Sequence, residues 1–333
     1  GSGGAASVGQ SDDQVSPAPT FEGNTGSGND TNGIDWDGGV PPGEADWLVN
    51  EGLPYVITGF AIVSDSATLA VEAGARVKLE GRGRLQVQGE GTLRAEGTAQ
   101  DSVVFTSIRD DTYGRDTNGD GSETSPSRGD WNRIEFQKGS EGTLDHAVVR
   151  YGGGGDRDGR DGFLNNMIVL RGSSPTITDS RIAKSGQAGV YVNGDALGGG
   201  YQSAEPTVKD SRFEANADDG LEIADGGGTI QKNVFVGNGR AASVGQSDDQ
   251  TSSPPTFARN VIEENEAGVY LSGTSLPDLG TVSDYGENIF RFNEDYAVKN
   301  TSSDTIQAVG NYWGTTDASD IDANIYDNEE NTN

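Results

Sequence analysis

The sequence predicts an all-β fold: a single-stranded, right-handed parallel β-helix of about ten coils with loop insertions. Three observations lead there. Short β-branched and aromatic runs alternate with Gly, Asn, Asp and Ser, and no apolar stripe of helical period is sustained. One polar–apolar frame recurs through the second half of the chain. Hydrophobic residues make up only 32% of 333 residues, beside 51 glycines, which suits a thin core under a wide solvated surface.

The opening segment carries the least obvious part of the repeat. Residues 5–14 are identical to 241–250, and laying 1–30 over 237–266 keeps 18 of 30 positions. Asn24 falls on Asn260 and Asn29 on Asn265, and "NGIDWDGG" (32–39) matches "AGVYLSGT" (267–274). Residues 1–40 are therefore expected to form an N-terminal capping or docking coil resembling 237–274, with the shared decapeptide as a loop between coils. Gly26 stands where the later copy has Ile262, so this coil has a poor core of its own. Three roles stay open: a polar end cap that shields an open edge, the tail of a preceding unit, or a coil that docks on another copy of the chain.

Residues 41–315 are expected to be the β-helix proper. From 53 to 107 apolar residues alternate with polar ones: Leu69 and Val71, Val77 and Leu79, Leu85 and Val87, Leu93 and Ala95, Val103 and Phe105, with Gly at the corners. An antiparallel meander with tight Gly turns would give the same alternation. The second half decides against it. Ser180, Ser211, Asn233, Asn260 and Asn288 share one frame, spaced 31, 22, 27 and 28 residues apart. Two residues after each comes Ile182, Phe213, Phe235, Ile262 or Phe290, and three further on Ser185, Asn216, Asn238, Asn265 or Asn293. "LDHAVVRYGG" (144–153) enters as an earlier member, with His146, Val148 and Tyr151 in those places. Stacked coils turn such positions into ladders, apolar ones inward and Asn or Ser ones at the bends. The end of the chain, 316–333, reads as an acidic cap or tail in which Asp327, Glu329 and Glu330 are solvated.

The formal charge is −30, from 53 acids and 23 bases. Phosphate backbones would be repelled, which excludes nucleic acid as a partner, and cations are favoured. There is no cysteine, hence neither disulfide nor thiolate site. No stretch is apolar enough to insert in a membrane.

The strongest chemical motif is "DDTYGRDTNGDGSET" (110–124). Asp116, Asn118 and Asp120 alternate and Gly121 follows, the first half of a calcium loop in which Gly allows the sharp turn round the ion. The twelfth position is Ser127 rather than Glu, so the closing ligand has to come from elsewhere. The candidate ligand set is Asp110, Asp111, Asp116, Asn118, Asp120, Ser122 and Glu123, with Ca2+ as the expected ion. A polar Asx-rich turn is the other reading. "GGGGDRDGRDG" (152–162) offers a second loop with Asp156, Asp158 and Asp161.

If the chain is an enzyme, Asp218 and Asp219 are the paired carboxylates for glycoside hydrolysis, with Asp179, Asp210 and Glu222 nearby. A polysaccharide lyase would instead need a base from Arg150, Arg171, Arg181, Lys184 or Arg212. The single histidine, His146, is read as a bend residue. Trp36, Trp47, Trp131 and Trp313 either stack on sugars or plug the ends and corners of the core.

The runs "ATLAVEAGARVKLEGRGRLQVQGEGTLRAEGTAQDSVVFTS", "GDWNRIEF", "LDHAVVRYGG" and "VGNYWGT" resemble the secreted right-handed parallel β-helix repeat proteins of bacterial and archaeal cell surfaces. The resemblance spans residues 50 to 315 or so. It implies the fold and an extracellular or cell-surface location, but not an activity, because that scaffold carries adhesins, structural modules, lyases and hydrolases alike. The expected function is an extracellular structural or adhesive β-helix, calcium-stabilised, stacking head to tail with other copies of itself or binding cell-surface glycans. The alternative is a polysaccharide lyase or glycoside hydrolase acting in a groove along the helix.

Overall fold

The computed structural model describes residues 4–10, 24–40, 43–48, 52–155, 165–194, 200–246, 253–274 and 276–327. Those residues form a parallel β-helix, as expected: every strand pairing is parallel, and each strand pairs with its equivalent one coil away. A coil has three short strands, one on each of three faces. The first face runs from Tyr55–Ile57 to Ile289–Arg291. The second runs from Phe60–Val63 to Ile325–Tyr326, and the third from Gly43–Leu48 to Thr256–Ala258. The strand Thr31–Val40 belongs to both the first and second faces.

Alternation puts one side of every strand inward, and register stacks those side chains in columns. Tyr55, Val77, Phe105, Val149, Ile182, Phe213, Phe235, Ile262 and Phe290 form the first-face column. The five members expected from the repeat are all at or below 1% exposure. Phe213 and Phe235 stack with ring centres 4.8 Å apart. The column ends on Trp313, stacked on Phe290 at 4.8 Å, so that tryptophan plugs the core. Trp131 is likewise sealed inside, donating Nε1–H to the Arg150 carbonyl at 2.9 Å. The front-half residues Leu69, Leu85, Leu93 and Phe105 are fully buried, in agreement with their alternation.

Two bend ladders hold the later coils in register. Each backbone N–H of the first ladder donates to the next polar side chain: Ser180 to Ser211, Ser211 to Asn233, Asn233 to Asn260, Asn260 to Asn288, at 3.0–3.1 Å. Asn311 continues the row, accepting from Asn288 at 2.9 Å. The second ladder joins Ser185, Asn216, Asn238, Asn265 and Asn293 in the same way. Each asparagine amide also donates to a carbonyl one coil back, as Asn233 Nδ2 does to Val208 at 2.9 Å. Thus a buried polar side chain satisfies two coils at once.

The residue before each ladder position takes a left-handed conformation. In the first ladder these are His146, Asp179, Asp210, Lys232, Arg259 and Glu287, with φ between 47° and 60°. This corrects the placing of 144–153 by one residue. Val149, not Val148, pairs with Ile182, so His146 precedes the ladder position and Ala147 occupies it.

The shared decapeptide differs from its expected form. Its first six residues are strand, not loop, in both copies: Gly4–Gln10 pairs Thr31–Val40 as Arg240–Gln246 pairs Ala267–Gly273. Ala6 faces Ile34 where Ala242 faces Val269, which reproduces the alignment of 32–39 with 267–274. Asn24 is exposed and Asn29 half-buried, whereas Asn260 and Asn265 are sealed in the ladders. At the other end, 318–324 form a helix capped by Asp317, and Ile325–Tyr326 adds a strand to the second face.

Candidate functional site

The motif-bearing insertion leaves the first-face strand Val103–Ser107 and rejoins at the second-face strand Arg133–Phe136. Its stem is tied down by ion pairs. Arg150 grips Asp110 with two hydrogen bonds of 2.7 and 2.6 Å, Thr106 donates to the same carboxylate at 2.5 Å, and Thr112 contacts both. Those partners, acting against burial, hold the Asp110 carboxyl below its ordinary range. Lys78, fully buried, donates to the carbonyls of Asp110 and Arg115 at 3.0 Å each. Burial lowers its ammonium pKa to about 8. On the return limb Asp130 accepts from Ser107, Arg109 and Ser127.

The apex is built differently. Asp116 folds the turn by accepting the N–H groups of Asp120 and Gly121 at 3.1 and 2.9 Å. Gly121 supplies the positive φ of 74° that the motif calls for. Asn118 donates to Asp120 at 2.8 Å. Three side-chain oxygens are nonetheless left over: Asp111 Oδ1, Asn118 Oδ1 and Asp120 Oδ1 are withdrawn from solvent without a hydrogen-bond partner. Burial raises the Asp111 carboxyl above its usual range; Lys78 opposes this, and Asp116 and Asp120 add to it. Of the expected ligand set, then, Asp116, Asn118 and Asp120 are joined by hydrogen bonds at the apex, and Asp111 lies near enough to be repelled by Asp116 and Asp120. Asp110 is committed to Arg150, and Ser122 and Glu123 stand exposed on the outer turn.

A donor set of hard oxygens, orphaned and mutually repelling, fits a hard divalent cation such as Ca2+. Asp111, Asp116 and Asp120 do not bring three carboxylate oxygens within 4.8 Å of one another. Among the described residues, only Asp145, His146 and Asp179 bring three metal-binding atoms within 4.8 Å of one another. His146 itself rests on its neighbour, Nδ1 lying 3.0 Å from Asp145 Oδ1.

Asp218 and Asp219 meet on the second face, both held by Arg240. Asp219 is fully buried, with Arg240 at 2.6 Å and Ser243 Oγ at 3.0 Å. Asp218 is half exposed. Glu222 lies close by, between Tyr191 of one coil and Ser243 of the next. Burial first, then Asp219 and Asp218, raise its carboxyl to about 7. Spacing alone does not single out Glu222, because its protonation depends on what the fold stacks beside it.

The proposed lyase bases are all engaged: Arg150 by Asp110, Arg171 by Glu135, Arg181 and Arg212 by Glu214, and Lys184 with the Tyr151 hydroxyl. Asp179 and Asp210 sit apart from this group, at the opposite bend. Asp156, Asp158, Asp161, Glu329, Glu330 and the Trp47 side chain lie outside the described residues.

This geometry defines a parallel β-helix solenoid with a long acidic insertion between Ser107 and Arg133. A family model described as "right handed beta helix region" matches 132–253 and 161–312, together more than half the chain. The chain belongs to that family. A second model, "pectate-lyase like beta helix domain", matches 44–169. Comparison with curated proteins and with solved structures returns no match.

Proposed function

We propose that this chain is an extracellular structural or adhesive β-helix whose long insertion is stiffened by Ca2+. The observation that carries the reading is the set of solvent-sealed oxygens on Asp111, Asn118 and Asp120. A bound cation supplies the partner that each lacks and offsets the repulsion among Asp111, Asp116 and Asp120. The charge of −30 is in keeping with a cation-rich medium. Extracellular modules of this kind bind calcium with dissociation constants of about 0.1–1 mM. Calorimetric titration of the full chain with Ca2+ tests the reading. Saturable binding that weakens in Asp120→Asn supports it; absence of heat up to several millimolar Ca2+ sinks it. Stacking with further copies, or contact with cell-surface glycans, is the partner chemistry that goes with this reading.

One observation favours a second reading, polysaccharide hydrolysis. Asp218, Asp219 and Glu222 cluster beside Tyr191 and Tyr270 on one outer face, and burial raises the Glu222 carboxyl to about 7. In that reading Glu222 is the acid, and Asp218, the exposed partner, the base. Release of reducing ends from neutral and uronate glycans, abolished by Glu222→Gln, is the test. The resemblance of residues 44–169 to pectate-lyase-like domains suits this reading as well as the structural one.

A further inference from the structure

We infer that cation binding at the insertion and closure of the first coil form one coupled equilibrium: the ion-holding apex is the latch that seals Thr31–Val40 onto the solenoid. This deepens, and rests on, the cation reading above. The apex and the coil touch through a small set of contacts. Asn32 N–H donates to the Thr117 carbonyl at 2.7 Å, and Asn32 Nδ2 donates to the Asp116 carbonyl at 3.1 Å. Asn32 Oδ1 in turn accepts from Asn29 N–H at 3.3 Å, which ties in the segment leading to the coil. Gly119 packs so closely that a Cβ there would lie 2.9 Å from the Asn29 carbonyl oxygen. Thr117 is fully buried between apex and coil, its methyl facing Gly33.

Asp116 is the shared part. Its carboxylate shapes the ion-side turn through Asp120 and Gly121, while its carbonyl holds Asn32 on the coil side. With no ion, Asp111, Asp116 and Asp120 repel one another and three oxygens stay unpaired, which favours a splayed apex. A splayed apex moves the Asp116 and Thr117 carbonyls off Asn32. An ion draws the acids together and fixes those carbonyls where Asn32 meets them. Linkage then requires the reverse as well: a closed first coil raises affinity for the ion. What the latch controls is the seat of Thr31–Val40, which lies between Gly4–Gln10 and the next coil. Closed, Thr31–Val40 covers the backbone edge of Tyr55–Ile57 and Phe60–Val63.

Hydrogen exchange and calorimetry on the full chain test this. Saturating Ca2+ is expected to slow amide exchange across 31–40 by about tenfold, within the usual range of coupling energies. Exchange across 261–271, in the asparagine-laddered coils, should not change. Asn32→Ala places no change on a candidate ion ligand, yet is expected to weaken Ca2+ binding about fivefold by reciprocity. Gly33→Ala, whose Cβ would lie 2.9 Å from the Pro54 carbonyl oxygen, disturbs the seat of the coil without altering a residue of the ion loop and should act in the same direction if Asn32→Ala folds poorly. If Ca2+ binds normally but exchange at 31–40 and the affinity of both variants stay unchanged, the latch is overturned and the cation site stands. If no Ca2+ binds to the unaltered chain, the cation reading fails and the latch with it.

Discussion

The coils from Pro175 to Asn311 and the region from Asn24 to Trp131 share one backbone path but close their corners differently. In the later coils a left-handed residue precedes a Ser or Asn that bonds the next coil, and the ladder passes unbroken from Ser180 to Asn311. In the earlier region the corners are tight turns, such as those closed by Gly83 N–H to Glu80 and Gly91 N–H to Gln88. Register there comes from strand pairing and from the insertion, whose stem is pinned by Arg150 and Lys78 and whose apex keeps three unpaired oxygens. The later coils satisfy their polar groups with their own neighbours. The earlier region keeps oxygens of Asp111, Asn118 and Asp120 without such neighbours. On the proposed cation reading, stability is built in along the later coils and conditional in the earlier region.

Four measurements separate the two regions. Phe235→Ala removes a ring stacked in the middle of the later core, and should cost about 3–5 kcal/mol in urea unfolding. A loss under about 1 kcal/mol would mean the column is loosely packed. Asn260→Ala strips the acceptor of Asn233 N–H and the donor to the Ile230 carbonyl, both buried. It should cost about 2–3 kcal/mol, clearly more than Asn32→Ala at the earlier end. Equal losses in the two variants would erase the distinction drawn here.

Chelating calcium should come third. At tenfold excess over its dissociation constant, the ion contributes about 1.4 kcal/mol to the folded state. The loss should appear as faster exchange in the earlier region, with the laddered coils unaffected.

The smallest effect is in pH, where two carboxylates within the later coils diverge. Hydrogen bonding from Arg181, with Arg212 assisting against burial, lowers Glu214 to about 2. Its stabilising share is present above the ordinary carboxylate range and is lost as pH falls through about 2. Glu222 is shifted the other way, to about 7, by burial. Between the ordinary carboxylate range and about 7 the folded state holds the extra proton, so its share of stability falls as pH rises. After discounting for partial exposure the effect is about 1 kcal/mol. Glu222→Gln should flatten that slope in denaturation midpoints measured from pH 5 to pH 8; an unchanged slope would assign it to other groups.

How much was legible in advance follows the same division. The core column and both ladders could be read from the sequence because equivalent residues of neighbouring coils meet, and equivalence appears as repetition. Asn311 and Trp313 repeat the frame of Asn288 and Phe290, so even the plug was within reach of the pattern. The one-residue misplacing at His146 arose because Ala147 occupies a ladder position usually held by Ser or Asn. The apex motif was legible from its alternating oxygens and Gly121. That Asp110 stands apart from the motif was not, since it is paired with Arg150, 40 residues away.

The solenoid, its inward columns and its polar bends follow from the repeat alone, because those interactions recur once per coil and leave a period. Which acids are paired, which are exposed and which are buried beside like charges is set by the folded chain. It also brings Asn32 to Asp116, 84 residues on. Those contacts join positions that are not equivalent in neighbouring coils, and a contact made once leaves no period to read.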